Sequence, residues 1–292
     1  MHPGIYQMPA AEYHALPHLS NSLAQLIIEQ SPKHAWTACR ALNPNYVEEE
    51  KETFDIGSAC HALLLEGQDR MVVIEADDWR KKEAREARDA ARAAGKHPVL
   101  AKRWQDVMKM RDVAVQALAE CQELGGISLA DGVAEQVIIF DVRGVRCRVR
   151  LDWWQRGRAI IDYKTCENAA PEAFSRQLIR MGYHIQDEFY SLAVEKTTGA
   201  RDPFYIMAQE KSPPYAVSFH ACAPSLRTVA EQDLSYAIPK WQECLTSNRW
   251  PAHSPRIHYT EAPSWTQEAA LNRADEHGIP YDVSKLWHKE VA

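Results

Sequence analysis

Residues 145–164 read VRCRVRLDWWQRGRAIIDYK, and their pattern predicts two neighbouring strands of a sheet. Its first half alternates apolar and charged side chains, which is typical of a β-strand with one buried face. The charged face comprises Arg146, Arg148, Arg150 and Asp152. A turn at 156–158 leads into a second strand over 159–164. Ile160 and Ile161 make this second strand apolar on both faces, as in a central strand covered by helices.

Asp152 and Asp162 lie on either side of this predicted hairpin. If its loop has three residues, an odd number, Asp152 falls directly opposite Asp162 and on the same face. Two carboxylates so placed repel each other unless a divalent cation lies between them. Lys164 projects from the same face as Asp162 and could hold a water or stabilise charge on a phosphate.

Taken alone, Asp162 and Lys164 are more simply explained as a salt bridge at a strand end, because short motifs occur often by chance. Asp152 and the three arginines of its strand make a functional site a stronger alternative to that salt bridge. Guanidinium groups match the geometry of phosphate oxygens. The stretch therefore leaves a structural ion pair and a metal and phosphate site as alternatives.

The patterns on either side of this hairpin predict an α/β (α+β) domain with a mixed central sheet flanked by helices. Helices are predicted over 18–30, around Trp36, and over 54–66, 80–94, 101–123, 171–180, 183–197 and 225–246. Strands are predicted over 133–142, 145–151, 159–164, 203–209 and 214–221. Residues 253–292 show no clear periodicity and no motif.

Composition excludes several classes of protein. With 46% hydrophobic and 25% charged residues, the sequence is that of a globular protein. It contains no apolar run long enough for a membrane span and no secretory signal, so we expect no membrane partner. Its seven cysteines are scattered without a CxxC pair, which argues against a zinc site or an iron–sulfur cluster and favours the cytoplasm.

Charge is distributed unevenly along the chain. The net charge is −6, yet residues 80–111 contain eleven Lys and Arg against four Asp and Glu. That segment therefore carries +7 and the remainder −13. Such asymmetry permits a polyanion-binding face on an acidic protein. A solvated helix surface explains the same run of charge equally well.

Asp152, Asp162, Tyr163 and Lys164 resemble the D…(D/E)xK core of the PD-(D/E)xK nuclease superfamily. The flanking sequence resembles the phage and prophage exonucleases typified by the nuclease domain of exodeoxyribonuclease VIII (RecE-like). The stretches that carry this resemblance, in order, are Gly4-Ile5, Glu12–His14, Leu19–Leu23, Gly57–His61, Glu135, Arg148–Asp152, Asp162–Thr165, Tyr183–Tyr190 and Trp250–Ala252. One departure is Asp162, where many members of the superfamily have Glu.

The resemblance implies a restriction-endonuclease-like core and one exonuclease domain over 1–252. Within that domain, 1–50 would be an N-terminal helical part and 80–123 a basic helical insertion. Residues 253–292 would be a tail for oligomer or partner contacts.

The resemblance also implies roles for individual residues. A Mg²⁺ ion, with Mn²⁺ as a substitute, would be held by His61, Asp152, Asp162 and the Tyr163 carbonyl. The residues that would act in catalysis are Lys164, Asp162, Asp152, Glu135, Gln186 and Tyr190. From the residues alone, His61 is more simply explained as a partly buried core histidine. Glu135 could be a strand residue paired with an arginine, and Gln186 and Tyr190 a surface pair on one helix face.

DNA would be bound at the N-terminal helices, the basic segment and the arginine-rich strand. The residues concerned are Ser20, Ser22, Arg85, Arg88, Arg92, Arg146, Arg148 and Arg150. Ser20 and Ser22 also suit helix capping, and a helix N-terminus favours phosphate.

The function implied is a metal-dependent exonuclease that hydrolyses duplex DNA from the 5′ end and leaves 3′ single strands in phage-type recombination. Its partners would be a RecT-like single-strand annealing protein and further copies of the chain in a trimeric or tetrameric ring. No nucleotide cofactor is expected. The alternatives are a single-strand or structure-specific repair or defence nuclease of the same fold, and a non-catalytic DNA-binding protein on a nuclease fold.

Overall fold

The computed structural model describes residues 1–47 and 56–276. The described residues divide into two compact units, with the boundary between Ala252 and His253. The helices are α1 Ala10–Ala15, α2 Asn21–Glu29, α3 Pro32–Ala38, α4 Ile56–Glu66, α5 Lys82–Ala93, α6 Ala101–Glu120, α7 Pro171–Arg180, α8 Tyr183–Thr198, α9 Pro224–Ser247 and α10 Ser264–Glu276. The strands are β1 Gly4–Tyr6, β2 Met71–Ile74, β3 His97–Leu100, β4 Val133–Val142, β5 Val145–Gln155, β6 Ala159–Cys166, β7 Phe204–Glu210 and β8 Val217–His220.

Six strands form the main sheet in the order β1-β4-β5-β6-β7-β8. The β6–β7 pair is parallel and its connection contains α7 and α8, whereas the other neighbouring pairs are antiparallel. Strands β2 and β3 form a separate parallel pair, with α5 in the connection between them. The prediction of a mixed central sheet flanked by helices is confirmed.

Strands β5 and β6 pair at only three positions beside their turn and then separate. The pairs are Trp153–Ile161, Trp154–Ile160 and Gln155–Ala159, so the loop at 156–158 has three residues, as predicted. The same register, continued by one step, puts Asp152 opposite Asp162. Further along, the open edge of β5 pairs with Leu19 instead, which precedes α2. The sheet therefore forks between β5 and β6, and the N-terminus of α2 lies at the fork.

Two large apolar cores cover the sheet, and a small third cluster joins Tyr13 of α1 to Val137 and Ile139 of β4. The first includes side chains of α2, α8 and α9, and the second includes side chains of α4 and α6. Leu151 and Trp154 belong to the first core, whereas Trp153 belongs to the second. The alternation of β5 therefore shifts by one position beside Asp152. The alternation predicted from Val145 to Asp152 holds, and the shift occurs beyond it, at Trp153 and Trp154.

Several short elements were not predicted. They are β1, α1, β2 and β3, which have too few residues to show periodicity, and Pro98 also interrupts β3. Helix α10 was not predicted either, because its 13 residues have no clear hydrophobic period. Strand β8 is shorter than predicted, and the predicted start of α4 at residues 54–55 lies outside the described residues. None of the described helices is long and apolar enough to cross a membrane.

Candidate active site

Three metal-ligating side chains converge from three elements. His61 of α4, Glu135 of β4 and Asp152 of β5 each offer one ligand atom, and these atoms lie within 4.8 Å of one another. His61 Nε2 is 3.3 Å from Asp152 Oδ2, and His61 Nδ1 is 3.9 Å from Glu135 Oε1. Among the described residues, this is the group whose donor atoms could hold a metal ion.

Glu135 reaches this group through an unusual backbone. Its φ is +56°, in the left-handed region that non-glycine residues seldom adopt. Ala134 and Gln136, on either side, keep their pairing with β5. The strand pairs thus hold a strained residue in place, and strain of this kind clusters at functional sites.

Asp162 and Lys164 of β6 join the group from the other branch of the fork. Asp162 is 1% exposed, and its Oδ2 is 2.5 Å from Lys164 Nζ. Gln186 of α8 donates from Nε2 to Asp162 Oδ1 at 2.6 Å. The backbone N–H of Tyr163 donates to Asp152 Oδ2 at 3.0 Å, which links the two branches. The ion pair between Asp162 and Lys164 is therefore present, and it lies within the predicted site.

The carboxylates differ in how readily they ionise. Burial raises the pKa of Asp162 to about 6, against the opposing effect of Lys164, and Asp152 adds repulsion. Burial likewise raises the pKa of Glu135 to about 7, although Arg150 lies close by. Burial also acts upward on Asp152, but His61 outweighs it and brings the pKa of Asp152 down to about 2.

The positive groups of the site have raised pKa values. Burial would lower the pKa of His61, but Asp152 and Glu135 outweigh burial and raise it. The pKa of Lys164 is also raised, because its carboxylate neighbours outweigh burial. The neighbouring carboxylates thus favour the charged forms of His61 and Lys164.

The donor set fits a divalent cation. Imidazole and carboxylate oxygens together suit Mn²⁺ and Mg²⁺, and a cation would remove the repulsion that adds to burial in raising the pKa values of Asp162 and Glu135. His61, Glu135 and Asp152 would hold the ion, with Asp162 beside them. A role for the Tyr163 carbonyl stays a prediction.

A cavity of about 290 Å³ opens over the cluster. The predicted site residues that line it are Ser20, Ser22, His61, Glu135, Arg148, Arg150, Asp152, Gln186 and Tyr190. Tyr13, His14 and Asn21 line it as well and were not predicted. Gln186 and Tyr190, four residues apart on α8, reach it together from one helix face. Ser20 also caps α2, because its Oγ accepts from the backbone N–H of Leu23 at 3.4 Å.

The three arginines of β5 have three different environments. Arg150 Nε lies 2.6 Å from Glu135 Oε2. Arg148 is 5% exposed and its guanidinium lies 4.6 Å from the centre of the Tyr13 ring. Its Nε and Nη1 have no hydrogen-bond partner in the part of the chain that is described. Arg146 instead pairs with Asp141 and is not among the residues that line the cavity.

The arginines of α5 lie apart from this cavity. Arg85 and Arg92 are exposed, and Arg88 donates to Asp89 at 2.8 Å. None of the three lines the cavity. Their contact with DNA stays a prediction.

Buried polar residues that support the site were also missed. Asp202 Oδ2 accepts from Trp154 Nε1 at 2.7 Å and from the Gly157 N–H at 3.0 Å, so it braces the β5–β6 turn. Gln209 accepts from the Tyr163 hydroxyl at 2.5 Å. Neither residue stands in a motif. The signal available in the sequence was only a polar residue next to an apolar strand.

Two comparisons with known proteins agree with this geometry. The crystal structure of a "putative exonuclease" from Eubacterium rectale has a similar fold, with a TM-score of 0.57 and 12% sequence identity over 90% of this chain and 99% of that one. No curated protein matches the chain. The family model described as "PDDEXK-like domain of unknown function (DUF3799)" matches residues 22–263. Because that match covers most of the sequence, the chain belongs to the DUF3799 family of PDDEXK-like domains.

Proposed function

We propose that the chain is a divalent-metal-dependent nuclease that hydrolyses phosphodiester bonds of DNA. The observation that carries this proposal is the meeting of His61, Glu135 and Asp152 with the Asp162–Lys164 pair at one fork of the sheet. The PDDEXK-like family and the fold shared with a protein described as an exonuclease support it. The fold alone would not, since one fold serves many functions.

A bound divalent cation would polarise the phosphate and lower the pKa of a water molecule. Residues of the chain would position the water and stabilise the developing charge. Lys164, which lies 2.5 Å from Asp162, would hold a water or stabilise charge on the phosphate. Gln186 keeps Asp162 oriented through its 2.6 Å hydrogen bond.

Arg148 would bind the phosphate backbone beside the reacting group. Its buried guanidinium offers two N–H groups without partners among the described residues, and the N-terminus of α2 faces the same cavity. Charge-assisted hydrogen bonds to phosphate would satisfy those donors. Ser20 and Ser22, whose hydroxyls lie 3.0 Å apart, are placed to add contacts.

The finer features of the proposal come from the resemblance to RecE-like exonucleases. They are a preference for Mg²⁺, 5′-to-3′ degradation of duplex DNA, a RecT-like annealing partner, assembly into a ring and action in the cytoplasm during phage-type recombination. The seven free cysteines, six of which are buried, are compatible with a reducing compartment.

The test is a digest with Mg²⁺ or Mn²⁺ of DNA labelled separately at its 5′ and 3′ ends. Linear duplex, single strand and closed circle are compared. Progressive loss of the 5′ label from linear duplex alone supports the full proposal. Cleavage of single strand or closed circle supports a nuclease of different specificity. Metal-dependent DNA binding without cleavage contradicts the proposal.

A further inference from the structure

Tyr163 lies between Asp162 and Lys164 in sequence, but its side chain enters the second core, against α4 and α6. Its ring centroid is 6.1 Å from that of His61. Its hydroxyl oxygen is 3.3 Å from the sulfur of Cys60, the residue before His61 on α4. One side chain of β6 therefore contacts both the predicted metal ligand and the helix that carries it.

The position of the Tyr163 hydroxyl is fixed by Gln209, which is fully buried. Gln209 Nε2 donates to the carbonyls of Met110 at 2.9 Å and Tyr215 at 3.1 Å. Because both amide hydrogens are used, Gln209 Oε1 faces Tyr163 and accepts its O–H at 2.5 Å. The Tyr163 hydroxyl is therefore held by Gln209 of β7, which is itself held by backbone carbonyls of α6 and of the turn before β8.

Helix α4 also touches β6 one turn earlier. A Cβ atom at Gly57 would lie 2.4 Å from Thr165 Oγ1, so only glycine lets the helix come this close. Gly57 and Cys60 are three residues apart and face β6 together. The helix therefore meets the strand at two points, and His61 follows directly after the second.

We propose that Tyr163 is a positioning residue for the metal site. Its hydroxyl, held by Gln209, keeps α4 in place, so that the His61 imidazole reaches the same cation as Asp152. Its backbone N–H meanwhile holds Asp152 itself. The inference rests on the proposed function in one respect, since it assumes that a cation binds at the cluster. It does not require that DNA is cleaved.

The test measures Mn²⁺ binding to the full chain by titration calorimetry. Tyr163→Phe keeps the ring and removes the hydroxyl, and it should raise the Mn²⁺ dissociation constant about tenfold, the lower end of the effect of removing residues that orient metal ligands. Tyr215→Phe is the matched control. Tyr215 lies in the same core, but its hydroxyl bonds to Asp106 and not to α4. This control should bind Mn²⁺ like the wild type.

The same titration in a His61→Ala background shows whether Tyr163 acts through His61. Adding Tyr163→Phe to His61→Ala should change the dissociation constant less than twofold. An equal tenfold loss in both backgrounds, or unchanged binding by Tyr163→Phe, overturns the inference. If Tyr163→Phe does not fold, Cys60→Ala removes the helix side of the contact and should weaken binding about threefold. Unchanged Mn²⁺ binding by Cys60→Ala would also contradict the inference.

Failure of the nuclease proposal gives a different result. Wild type that binds Mn²⁺ but cleaves no DNA contradicts the proposed nuclease, and the Tyr163 titrations then decide the positioning role by themselves. Wild type that binds no Mn²⁺ overturns the metal site and the positioning role together.

Discussion

At the scale of single residues, substitution of Asp152 or Asp162 tests the proposed metal site most directly. Asp152→Asn or Asp162→Asn should lower DNA cleavage by at least about 100-fold, because each removes a charged oxygen next to the cation. Added Mn²⁺ should raise the melting temperature of the wild type by mass action, and this rise should vanish in both variants.

Asp141→Asn is the matched control for these variants. Asp141 also belongs to the main sheet, but it pairs with Arg146 outside the cavity. This variant should keep both cleavage and the Mn²⁺-dependent rise in melting temperature. An equal rise in all four proteins would exclude the site.

Glu135 predicts a dependence of stability on pH. Its pKa is about 7 in the folded chain against an ordinary 4.5, so the folded state holds the proton to higher pH than the unfolded state does. Ionisation of Glu135 therefore destabilises the metal-free protein progressively between pH of about 4.5 and about 7. Glu135→Gln removes this effect.

The measurement is the melting temperature of both proteins in EDTA from pH 5 to pH 8. The melting temperature of Glu135→Gln should rise relative to that of the wild type across this range. A constant difference would show that the pKa of Glu135 is not raised. With Mn²⁺ present, wild-type affinity should increase over the same range, since the carboxylate must lose its proton to bind the ion.

The sequence predicts most of these residues but not their surroundings. His61, Asp152, Asp162 and Lys164 follow from the resemblance, and the register of the hairpin follows from the parity of its loop. The left-handed backbone of Glu135 does not, because Glu carries no preference for it. Nor does any local pattern show that Arg148 loses its solvent, since that depends on Tyr13 folding over it.

At the scale of elements, the approach of α4 to β6 predicts the effect of Gly57→Ala. Alanine favours a helix by about 1 kcal/mol over glycine, but the new Cβ would lie 2.4 Å from Thr165 Oγ1. Overpacking of this kind costs about 1–3 kcal/mol, so the free energy of unfolding should fall or at best stay level. The Mn²⁺ affinity should also fall, because His61 lies on the displaced helix.

Thr165→Ala provides the control for Gly57→Ala. By itself it should leave Mn²⁺ binding unchanged. Combined with Gly57→Ala it should recover part of the lost affinity, since it removes two of the atoms that the new Cβ meets. Urea unfolding and Mn²⁺ titration of the single and double variants measure both effects. Strictly additive effects would mean that the two residues do not touch.

The β5–β6 turn predicts a second effect at this scale. Asp202→Ala leaves the Trp154 indole N–H and the Gly157 N–H without their shared acceptor. Burying such groups unpaired costs about 1–3 kcal/mol, so chemical unfolding should show a loss of that size. Asp131→Ala, an exposed aspartate outside the turn, is the comparison and should change the free energy of unfolding by less than about 0.5 kcal/mol.

Elements were predictable in proportion to their length. Strands β4 to β6 and helices α7 to α9 carry several periods of hydrophobic pattern. Their predicted bounds agree with the structure within two residues, except that β5 continues to Gln155, four residues beyond its predicted end. Strand β1 has three residues and β3 contains a proline, so neither shows a period. The shift of alternation beside Asp152 depends on the partner strand, which no single segment encodes.

At the scale of the whole molecule, the uneven charge predicts where DNA binds. Binding of duplex DNA in Ca²⁺ should weaken steeply with salt, with a slope set by the number of phosphates contacted. Changing Arg85, Arg88 and Arg92 together to Gln should reduce that slope by about 1–3. Mn²⁺-dependent stabilisation should not change, because these residues lie outside the cavity.

Changing Arg227, Lys240 and Arg249 to Gln provides the comparison. This triple variant removes the same charge from α9 and the residues that follow it, and should leave the salt slope unchanged. If the wild type and the α5 variant have the same salt dependence of DNA binding, α5 is a solvated surface helix that does not contact DNA. The charge of each segment can be counted in the sequence, but which charged segments share a face depends on the fold.

Leu19 covers part of the open edge of β5. Beyond its fork with β6, strand β5 would expose an unpaired row of backbone groups, and Leu19 covers part of it with two hydrogen bonds, of 3.1 and 2.8 Å, to Arg146 and Arg148. Exposed strand edges recruit other strands and promote aggregation. Loss of the first twenty residues, by proteolysis or truncation, should therefore do more than open the cavity. The truncation also removes β1 and so exposes the edge of β4. The shortened protein should self-associate through these edges of β4 and β5, and light scattering would show this as growth of particle size with concentration.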